Sequence, residues 1–495
     1  MKSPRKYILE FIVSKKEYPI LTFIAAGLYP LFHYFNTHLF IVNSAEHLLF
    51  FTALFLIAPT VIFYILYKIT KKITVLNSYH KFVLPFINIG LFASLLVLIT
   101  IGIKKKLLLL ALVVSVILAI LLYKNLKKVV VFQYMLATIS FFILMSKSIE
   151  MINGSNEWIE QPDDIESAVF KKNPNIYIIQ PDGYANFSEL DKGYYNFDNS
   201  NFESFLLAEK FKLYNDFRSN YESTLYSNGS LFAMKHHYYN TKSNQENETY
   251  DFRKVIVESN PVLSILNNNN YKTHLLIQEP YFVLGKSNLG YDYSNIKPEE
   301  ISYFSKAFEM EMNIKSELKE LVNTNGASNN FFFIQKIKPW HVNNNKSKSK
   351  GKVEEHRLYL KRLEEVNIWL MDIVSFINEN DPNSLIVIVA DHGGYVGYDY
   401  QSQSRIKTLD RDLLYSIFGS ALAVKWPNGE IPKYDDKLKS SVNLFRILFS
   451  YLSDNETYLD YLQDDKSYLI IEEDAPFGVY ETIDNKGDVL FKKHN

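Results

Sequence analysis

Five apolar stretches lie within the first 150 residues of this 495-residue chain. They cover residues 18–40, 47–67, 82–103, 107–123 and 129–145. Each stretch is about long enough, at about 1.5 Å per residue, for a helix to cross a hydrocarbon layer of about 30 Å. The pattern therefore predicts a transmembrane domain of five helices over residues 1–149.

Charged residues are distributed unevenly along the chain. Residues 1–150 contain 16 Lys and Arg against 4 Asp and Glu, whereas the remainder contains 37 against 50. The basic residues cluster before the first apolar stretch, between the second and third, and between the fourth and fifth. Because cytoplasmic segments of membrane proteins are rich in Lys and Arg, residues 150–495 are predicted to lie outside the cytoplasm. Lys104, Lys105 and Lys106 oppose this orientation but are outnumbered.

Residues 150–173 are polar and are predicted to form a linker to a globular domain at 174–495. Apolar strand candidates cover 175–182, 271–278, 330–338, 384–390 and 421–426. Helical patterns lie between or after them at 201–211, 224–236, 261–268, 301–323, 352–378 and 441–452. Strands that are apolar on both faces and alternate with helices indicate an α/β/α sandwich with a mostly parallel sheet. Ligands of such sheets bind beyond the carboxyl ends of the strands.

The strongest chemical feature is Asp391-His392, which ends the apolar run SLIVIVA and precedes two glycines. A carboxylate and an imidazole are common metal ligands, and the glycines relax the backbone so that both can face one ion. Two such polar residues at the end of a buried strand are costly unless something uses them. The chain contains no cysteine, so only oxygen and nitrogen ligands are available here.

Three further places carry candidate site residues. Asp182 follows a predicted strand, Ser223 and Thr224 stand where a helical run begins, and Trp340-His341 follows the strand FFFIQKIK. A hydroxyl group at a helix N-terminus lies where an anion or an alkoxide is favoured. Each feature also has an ordinary explanation, because Asp-Gly is a common turn, Ser and Thr are common helix caps, and a lone histidine is often a surface residue.

Taken together and in this order, the segments PNIYIIQPDGYA, SNYESTLYSNGSLFAM, KPWH and IVIVADHGG resemble the alkaline phosphatase superfamily, in its sulfatase-like branch. Five spans followed by such a domain resemble lipoteichoic acid synthases and phosphoethanolamine transferases. The resemblance covers residues 174–455, and the front part is similar only in the number and order of its spans. It implies an alkaline phosphatase-like fold for the outer domain.

The resemblance implies one divalent metal, Mn²⁺ or Zn²⁺, held by Asp182, Thr224, Asp391 and His392. Thr224 would be the nucleophile, since a metal acidifies a bound hydroxyl group. His341, with Trp340 beside it, would hold the phosphate or the leaving oxygen, and Arg405 and Arg411 could contact a phosphate. His236 and His237 lie about three turns beyond Thr224 on the same predicted helix, too far along to reach the same ion.

The leading hypothesis is a metal-dependent phosphotransferase of the bacterial cytoplasmic membrane with an extracytoplasmic catalytic domain. It would move a phosphoethanolamine or phosphoglycerol head group from a phospholipid donor, through phospho-Thr224, to a glycan or lipid acceptor, with no role for nucleic acid. One alternative is a membrane-tethered phosphoester hydrolase or, less favoured because the C/S-x-P-x-R motif is absent, a sulfate ester hydrolase. Another is a non-catalytic member that serves as a scaffold.

Overall fold

The computed structural model describes residues 4–76, 78–152, 157–240, 252–286, 288–304, 310–325 and 329–494. The chain divides into two compact units, Met1–Gly154 and Ser155–Asn495. The predicted linker 150–173 is split, because the last helix of the first unit extends to Ile152 and residues 157–173 belong to the second unit. Residues 153–156 of that linker lie outside the described residues. The domain boundaries at 149 and 173 stay predictions.

The described part of the first unit is helical. Its helices are α1 (Pro4–Val13), α2 (Pro19–His38), α3 (Ala45–Thr52), α4 (Ala58–Thr70), α5 (His80–Ile101), α6 (Lys105–Leu122) and α7 (Leu126–Ile152). Three helical runs are long and apolar enough to cross a membrane, namely Ala45–Thr70, His80–Ile101 and Lys105–Ile152. The last run contains both α6 and α7, joined at Tyr123–Asn125. The number of five crossings stays a prediction.

Helix α2 packs against α4, α5 and α7, so much of its surface faces other helices. Ala25 and Ala26 are fully buried on it, as expected where small residues let helices approach closely. An amide pair joins the helices next to α2: Asn88 of α5 donates to Gln133 of α7 (2.9 Å), and Gln133 donates back (3.1 Å). Asn88 also donates to the carbonyl of Thr22 in α2 (2.7 Å). These bonds satisfy polar groups that lipid could not.

The second unit is an α/β structure. Its strands are β1 (Ile176–Pro181), β2 (Lys212–Leu213), β3 (Lys272–Ile277), β4 (Tyr293–Ser294), β5 (Asn330–Lys336), β6 (Leu385–Val389), β7 (Leu422–Lys425), β8 (Ser467–Ile471), β9 (Gly478–Ile483) and β10 (Val489–Lys493). Strands β1 to β7 form one sheet in the order β2-β7-β6-β1-β5-β3-β4, and β8 to β10 form a second, antiparallel sheet. The large sheet is parallel from β6 to β4, and β7 is antiparallel to both of its neighbours. The prediction of a mostly parallel sheet is confirmed.

Helices cover both faces of the large sheet. They are α8 (Phe187–Leu190), α9 (Ser200–Ala208), α10 (Thr224–Ala233), α11 (Phe252–Val257), α12 (Pro261–Asn268), α13 (Ile314–Asn325), α14 (Lys352–Asn380), α15 (Arg411–Phe418) and α16 (Leu444–Ser453). Side chains of α9, α13 and α14 share one core with alternate residues of β1, β3, β5 and β6. On the opposite face, Phe232 of α10 packs on Phe333 of β5, and Phe445 of α16 packs on Phe331. We call this second face the α10 face.

Candidate active site

Asp182 and Asp391 share one edge of the sheet because their strands are neighbours. Asp182 comes directly after β1, and its N–H donates to the carbonyl of Lys336 at the end of β5 (2.9 Å). Asp391 follows β6, which pairs with β1 in parallel. Both carboxylates are buried, with 5% and 2% of the residue exposed. Parallel pairing thus brings together two of the candidate metal ligands.

Gly183 forms the turn that holds these carboxylates. Its φ of +71° is a conformation that glycine adopts without strain. A Cβ atom at this position would lie 2.5 Å from the carbonyl oxygen of Trp340, which excludes any side chain. The N–H groups of Gly183 and His392 both donate to Asp391 Oδ1, each at 3.0 Å. The turn therefore fixes Asp391 through one oxygen and leaves the other, Oδ2, facing His392.

The hydrogen bonds of His392 indicate which ring nitrogen faces the site. Nδ1 lies 2.8 Å from the carbonyl oxygen of Gly393, so it carries the proton and donates. Nε2 is then free to act as a ligand. It lies 3.5 Å from Asp391 Oδ2 and 3.4 Å from Thr224 Oγ1.

Thr224 is the first residue of α10. Ser223 precedes it in an extended conformation and makes no side-chain capping hydrogen bond, so the structure distinguishes the two hydroxyl groups. Thr224 Oγ1 lies 3.5 Å from Asp182 Oδ2, whereas no contact joins Ser223 to the metal-ligand candidates among the described residues. The hydroxyl group of Thr224 sits at the positive end of the helix dipole, beside two carboxylates and an imidazole.

The donor atoms of this group suit a divalent cation. Ligand atoms of Asp182, Asp391 and His392 all lie within 4.8 Å of one another. Asp182 Oδ1 and Asp391 Oδ2 are buried and accept no hydrogen bond from the described residues. Burial, the charge of Asp391 and the charge of Glu279 raise the pKa of Asp182 well above its usual value. A bound cation would remove this electrostatic cost, and the oxygen and nitrogen donors fit Mn²⁺ or Zn²⁺.

Trp340 and His341 lie beside the same group. The N–H of Trp340 donates to the carbonyl of Asp182 (2.7 Å). The ring of His341 is 5.8 Å from that of His392, centroid to centroid. Burial and His392 lower the pKa of His341 to about 3, so its ring is neutral near pH 7. Its Nδ1 contacts the carbonyl of Val342 (2.5 Å) and donates, which leaves Nε2 able to accept a proton.

The two candidate phosphate-binding arginines have carboxylate partners. Arg405 forms an ion pair with Glu472 and interacts electrostatically with Glu222, two residues before Thr224. The guanidinium group of Arg411 donates to Glu189 through two nitrogens and stacks 3.8 Å from the ring centroid of Tyr415. No contact of Arg411 with the metal-ligand candidates occurs in the described part of the chain. The substrate-binding roles of both arginines stay predictions.

Sequence reasoning missed a buried amide pair behind Thr224. Gln180 of β1 donates to Asn228 of α10, and Asn228 donates back, each at 2.9 Å. Asn228 also donates to the carbonyl of Thr224 (2.9 Å). The pair ties the first turn of α10 to the strand that carries Asp182. The available signal was Gln180 itself, a polar residue within an otherwise apolar strand.

Tyr395 and Glu222 were also missed. The ring of Tyr395 lies 5.7 Å from the rings of both His341 and His392. Its hydroxyl group donates to the carbonyl of Glu222. The Glu222 side chain accepts from the hydroxyl group of Tyr239, and burial raises the pKa of Glu222 to about 7. These contacts hold Glu222, and with it the segment that directly precedes Thr224, in place.

No protein-family model and no curated protein matches this sequence. Solved structures do show similarity. The C-terminal periplasmic domain of EcEptC from Escherichia coli, in complex with Zn, matches with a TM-score of 0.43 and 11% identity, over 65% of this chain and 96% of that chain. The lipoteichoic acid synthase LtaP from Listeria monocytogenes matches with a TM-score of 0.41 and 11% identity, over 67% and 91%.

A longer match is the integral membrane lipooligosaccharide phosphoethanolamine transferase A from Neisseria meningitidis. Its TM-score is 0.39 at 12% identity, and the match covers 88% of this chain and 95% of that chain. The names of these proteins include the two enzyme classes that the sequence motifs resemble.

Proposed function

We propose that this protein is a membrane phosphotransferase that moves a phospholipid-derived head group to an extracytoplasmic glycan or lipid through a phospho-Thr224 intermediate. The observation that carries the proposal is the position of Thr224 Oγ1, within 3.5 Å of Asp182 Oδ2 and 3.4 Å of His392 Nε2. A hydroxyl group at a helix N-terminus, surrounded by a cluster able to hold a cation, suits attack on an anionic phosphoester.

One divalent cation, held by Asp182, Asp391, His392 and the hydroxyl group of Thr224, would acidify that hydroxyl group and offset phosphate charge. Four ligands of this type suit Mn²⁺ or Zn²⁺. Other parts of the protein contribute to catalysis directly. The N-terminus of α10 stabilises negative charge on the phosphoryl oxygens, and the Gln180–Asn228 pair keeps that N-terminus beside Asp182.

Transfer then takes two displacements at phosphorus. In the first, a bond from Thr224 Oγ1 to phosphorus forms while the bond to the lipid oxygen breaks, and the proton that Thr224 loses passes to the lipid oxygen, so that the lipid leaves as diacylglycerol. In the second, an oxygen of the acceptor attacks the phosphorus, the bond from phosphorus to Thr224 Oγ1 breaks, and the proton that the acceptor hydroxyl group loses returns to Thr224. His341 is neutral and its Nε2 carries no proton, so it can orient the acceptor hydroxyl group or the leaving oxygen by accepting a hydrogen bond, while its lowered pKa makes it a weak base.

Three helical runs able to cross a membrane occur among the described residues, which supports a phospholipid as the donor. Transfer and hydrolysis differ only in the molecule that attacks phosphorus in the second displacement. In transfer it is a glycan or lipid hydroxyl group, and in hydrolysis it is water.

The test is intact-mass analysis of the full-length protein in vesicles of mixed bacterial phospholipids with Mn²⁺ or Zn²⁺. We expect a head-group adduct on the wild type and none on Thr224→Ala. The matched control is Ser223→Ala, which removes the adjacent hydroxyl group and should leave the adduct unchanged. An adduct on Thr224→Ala would overturn the proposal. Rapid cleavage of a phosphodiester by the wild type without any acceptor would favour the hydrolase.

A further inference from the structure

Tyr395 combines complete burial with a backbone conformation that residues other than glycine rarely adopt. Its φ is +59°, in the left-handed region, and none of its surface is exposed. A residue keeps such an unfavourable conformation only where its surroundings impose it, and residues of this kind cluster at functional sites. Tyr395 lies three residues after His392, so it belongs to the segment that carries a candidate metal ligand.

The turn that contains Tyr395 is fixed by a neighbouring helix. The N–H of Tyr395 donates to the carbonyl of Ser416 (2.9 Å), and the N–H of Gly393 donates to that of Ile417 (2.6 Å). Both acceptors are in α15. Because the backbone is held at two points, the position of the Tyr395 side chain is determined by the packing of α15 against this turn.

The side chain of Tyr395 connects this turn to the segment that contains the candidate nucleophile. Its hydroxyl group donates to the carbonyl of Glu222, which lies 173 residues earlier in the chain and two residues before Thr224. Ser223, between Glu222 and Thr224, makes no side-chain capping hydrogen bond. One hydrogen bond therefore joins the segment of His392 to the start of α10.

A second contact attaches α10 to the other half of the ligand group. On the α10 face, the amide pair Gln180–Asn228 joins the first turn of α10 to β1, which leads to Asp182. Tyr395 joins the residues before that turn to the segment that follows β6. The two attachments together determine where the Thr224 hydroxyl group lies between the ligands at the ends of both strands.

The ring of Tyr395 makes a separate contact with the site. Its centroid lies 5.7 Å from those of His341 and His392, at interplanar angles of 61° and 81°. Edge-on arrangements of this kind are favourable for aromatic rings. Phenylalanine would keep both ring contacts and lose only the hydrogen bond to Glu222, so the two contacts can be tested separately.

We propose that Tyr395 is a positioning residue whose hydroxyl group sets the distance between the Thr224 hydroxyl group and the candidate metal ligands. It donates to a backbone carbonyl, so it acts on the reaction through Thr224. The kinetic consequence of this inference rests on the proposed function. Its geometric content can be tested without any phosphoryl transfer.

The kinetic experiment measures the rate of adduct formation on Thr224 of the full-length protein, in vesicles of mixed bacterial phospholipids with Zn²⁺ and without acceptor. Tyr395→Phe should lower the rate at saturating lipid by at least about 10-fold, because the nucleophile is displaced, and leave the half-saturating lipid concentration within about 2-fold. An unchanged maximal rate would overturn the inference. So would a loss that appears only as a raised half-saturating concentration.

Two matched substitutions test whether this loss is specific. The hydroxyl group of Tyr271 also donates to a backbone carbonyl, that of Pro174 (2.8 Å), which precedes β1 at the opposite end from Asp182. Tyr398 has a buried hydroxyl group without a partner among the described residues, and its ring lies 6.3 Å from that of Tyr395. Tyr271→Phe and Tyr398→Phe should both label at the wild-type rate. Slowing of Tyr271→Phe equal to that of Tyr395→Phe would indicate a general effect of losing such a bond and would overturn the positioning role.

Cobalt spectroscopy separates failure of this inference from failure of the proposed function. The visible absorption of bound Co²⁺ depends on its ligands and their geometry. With Co²⁺ bound to the full-length protein, we expect Thr224→Ala and Tyr395→Phe to change the spectrum in the same direction and Tyr271→Phe to leave it unchanged. This result supports the inference even if no phosphothreonine forms on the wild type. A wild-type spectrum in Tyr395→Phe, or an unchanged spectrum in Thr224→Ala, overturns it.

Discussion

Asp391 illustrates how a single residue combines a structural and a chemical task. Its Oδ1 accepts two backbone N–H groups, from Gly183 and His392, while its Oδ2 has no partner in the described chain and lies 3.5 Å from His392 Nε2. Asparagine can keep the first oxygen, and it replaces Oδ2 by an uncharged amide nitrogen that donates hydrogen bonds and is a poor metal ligand. The two tasks can therefore be separated by one substitution.

Asp391→Asn should weaken binding of Zn²⁺ or Mn²⁺ by more than about 100-fold. Loss of a residue that only supports a metal ligand costs up to about 100-fold, and Asp391 is a candidate ligand itself. The metal-free variant should melt at the same temperature as the wild type or higher, because the charge that raises the pKa of Asp182 is gone. Calorimetric titration and thermal unfolding check the two parts. A lower melting temperature without metal would show that the charge itself holds the turn.

Gly183 and Gly429 form a matched pair for testing the turn at Asp182. Both have a positive φ, +71° and +74°, but a Cβ meets the Trp340 carbonyl only at Gly183 and nothing within 4 Å at Gly429. Alanine should cost each variant about 1 kcal/mol of unfolding free energy for the backbone conformation. Gly183→Ala should in addition reduce transfer by at least about 100-fold, because the turn shifts Asp182. Equal activity of the two variants would contradict this.

At the scale of elements, α10 and its attachment to the sheet determine the geometry of the nucleophile. The prediction of a helix over 224–236 is right about its start and wrong about its end. Helix α10 ends at Ala233 with Met234 in a left-handed conformation. His236 and His237 therefore lie outside the helix, where His236 contacts Tyr221 and the carbonyl of Asp464. The hydrogen bonds of His236 and His237 hold in place the segment that follows α10. The two histidines are not candidates for metal ligands.

Asn228→Ala should lower the unfolding free energy by about 1–3 kcal/mol, because Gln180 loses its partner inside the protein. It should also reduce kcat more than KM, since the first turn of α10 loosens. The double variant Gln180→Leu/Asn228→Leu removes both polar groups and should regain stability without regaining kcat. Urea unfolding and steady-state kinetics measure both. Restored kcat in the double variant would show that the pair contributes only to folding.

At the scale of the whole molecule, buried neutral histidines make stability depend on pH. Burial lowers the pKa values of His236 (to about 4), His237, His274, His341 (to about 3) and His494. In unfolded protein a histidine has a pKa of about 6.5, so between about pH 4 and 6.5 these histidines bind more protons in the unfolded chain than in the folded one. Their contribution to stability is therefore lost as pH falls below about 6.5, whereas the raised pKa values of Asp182 and Glu222 act in the opposite direction.

His274→Phe tests this dependence. His274 is fully buried, stacks on Phe332 at 4.5 Å between centroids, and has no partner for Nδ1 among the described residues. Phenylalanine keeps the stacking and cannot take up a proton. The unfolding free energy of the variant minus that of the wild type should be larger at pH 5 than at pH 8. The increase should be up to about 1.4 kcal/mol per pH unit over the range in which the histidine titrates. Thermal unfolding across pH 4.5 to 8 measures it, and an unchanged difference would contradict it.

The sequence by itself determined the central strands, several helices and the order of the motifs. Strands β1, β3, β5, β6 and β7 lie within predicted segments, and α12 occupies the predicted residues Pro261–Asn268. These elements have local signals, namely continuous apolar runs and a helix cap with proline in the first turn. Strands β2 and β4 were missed because two residues are too few to show a period. Strands β8 to β10 were also missed, although each has five or six residues.

Only the tertiary structure decided which candidates share a site. The motif order predicted Asp182, Asp391 and His392 as partners, and parallel pairing of β1 with β6 puts them together. Arg411 was also a candidate site residue from the sequence. Its guanidinium group pairs with Glu189, which lies more than 200 residues earlier in the chain. The resemblance had already favoured Thr224 over Ser223, and the structure adds the distances from Thr224 Oγ1 to Asp182 and His392. Local patterns depend on neighbouring residues, whereas side-chain partners depend on register and packing between segments far apart in the chain.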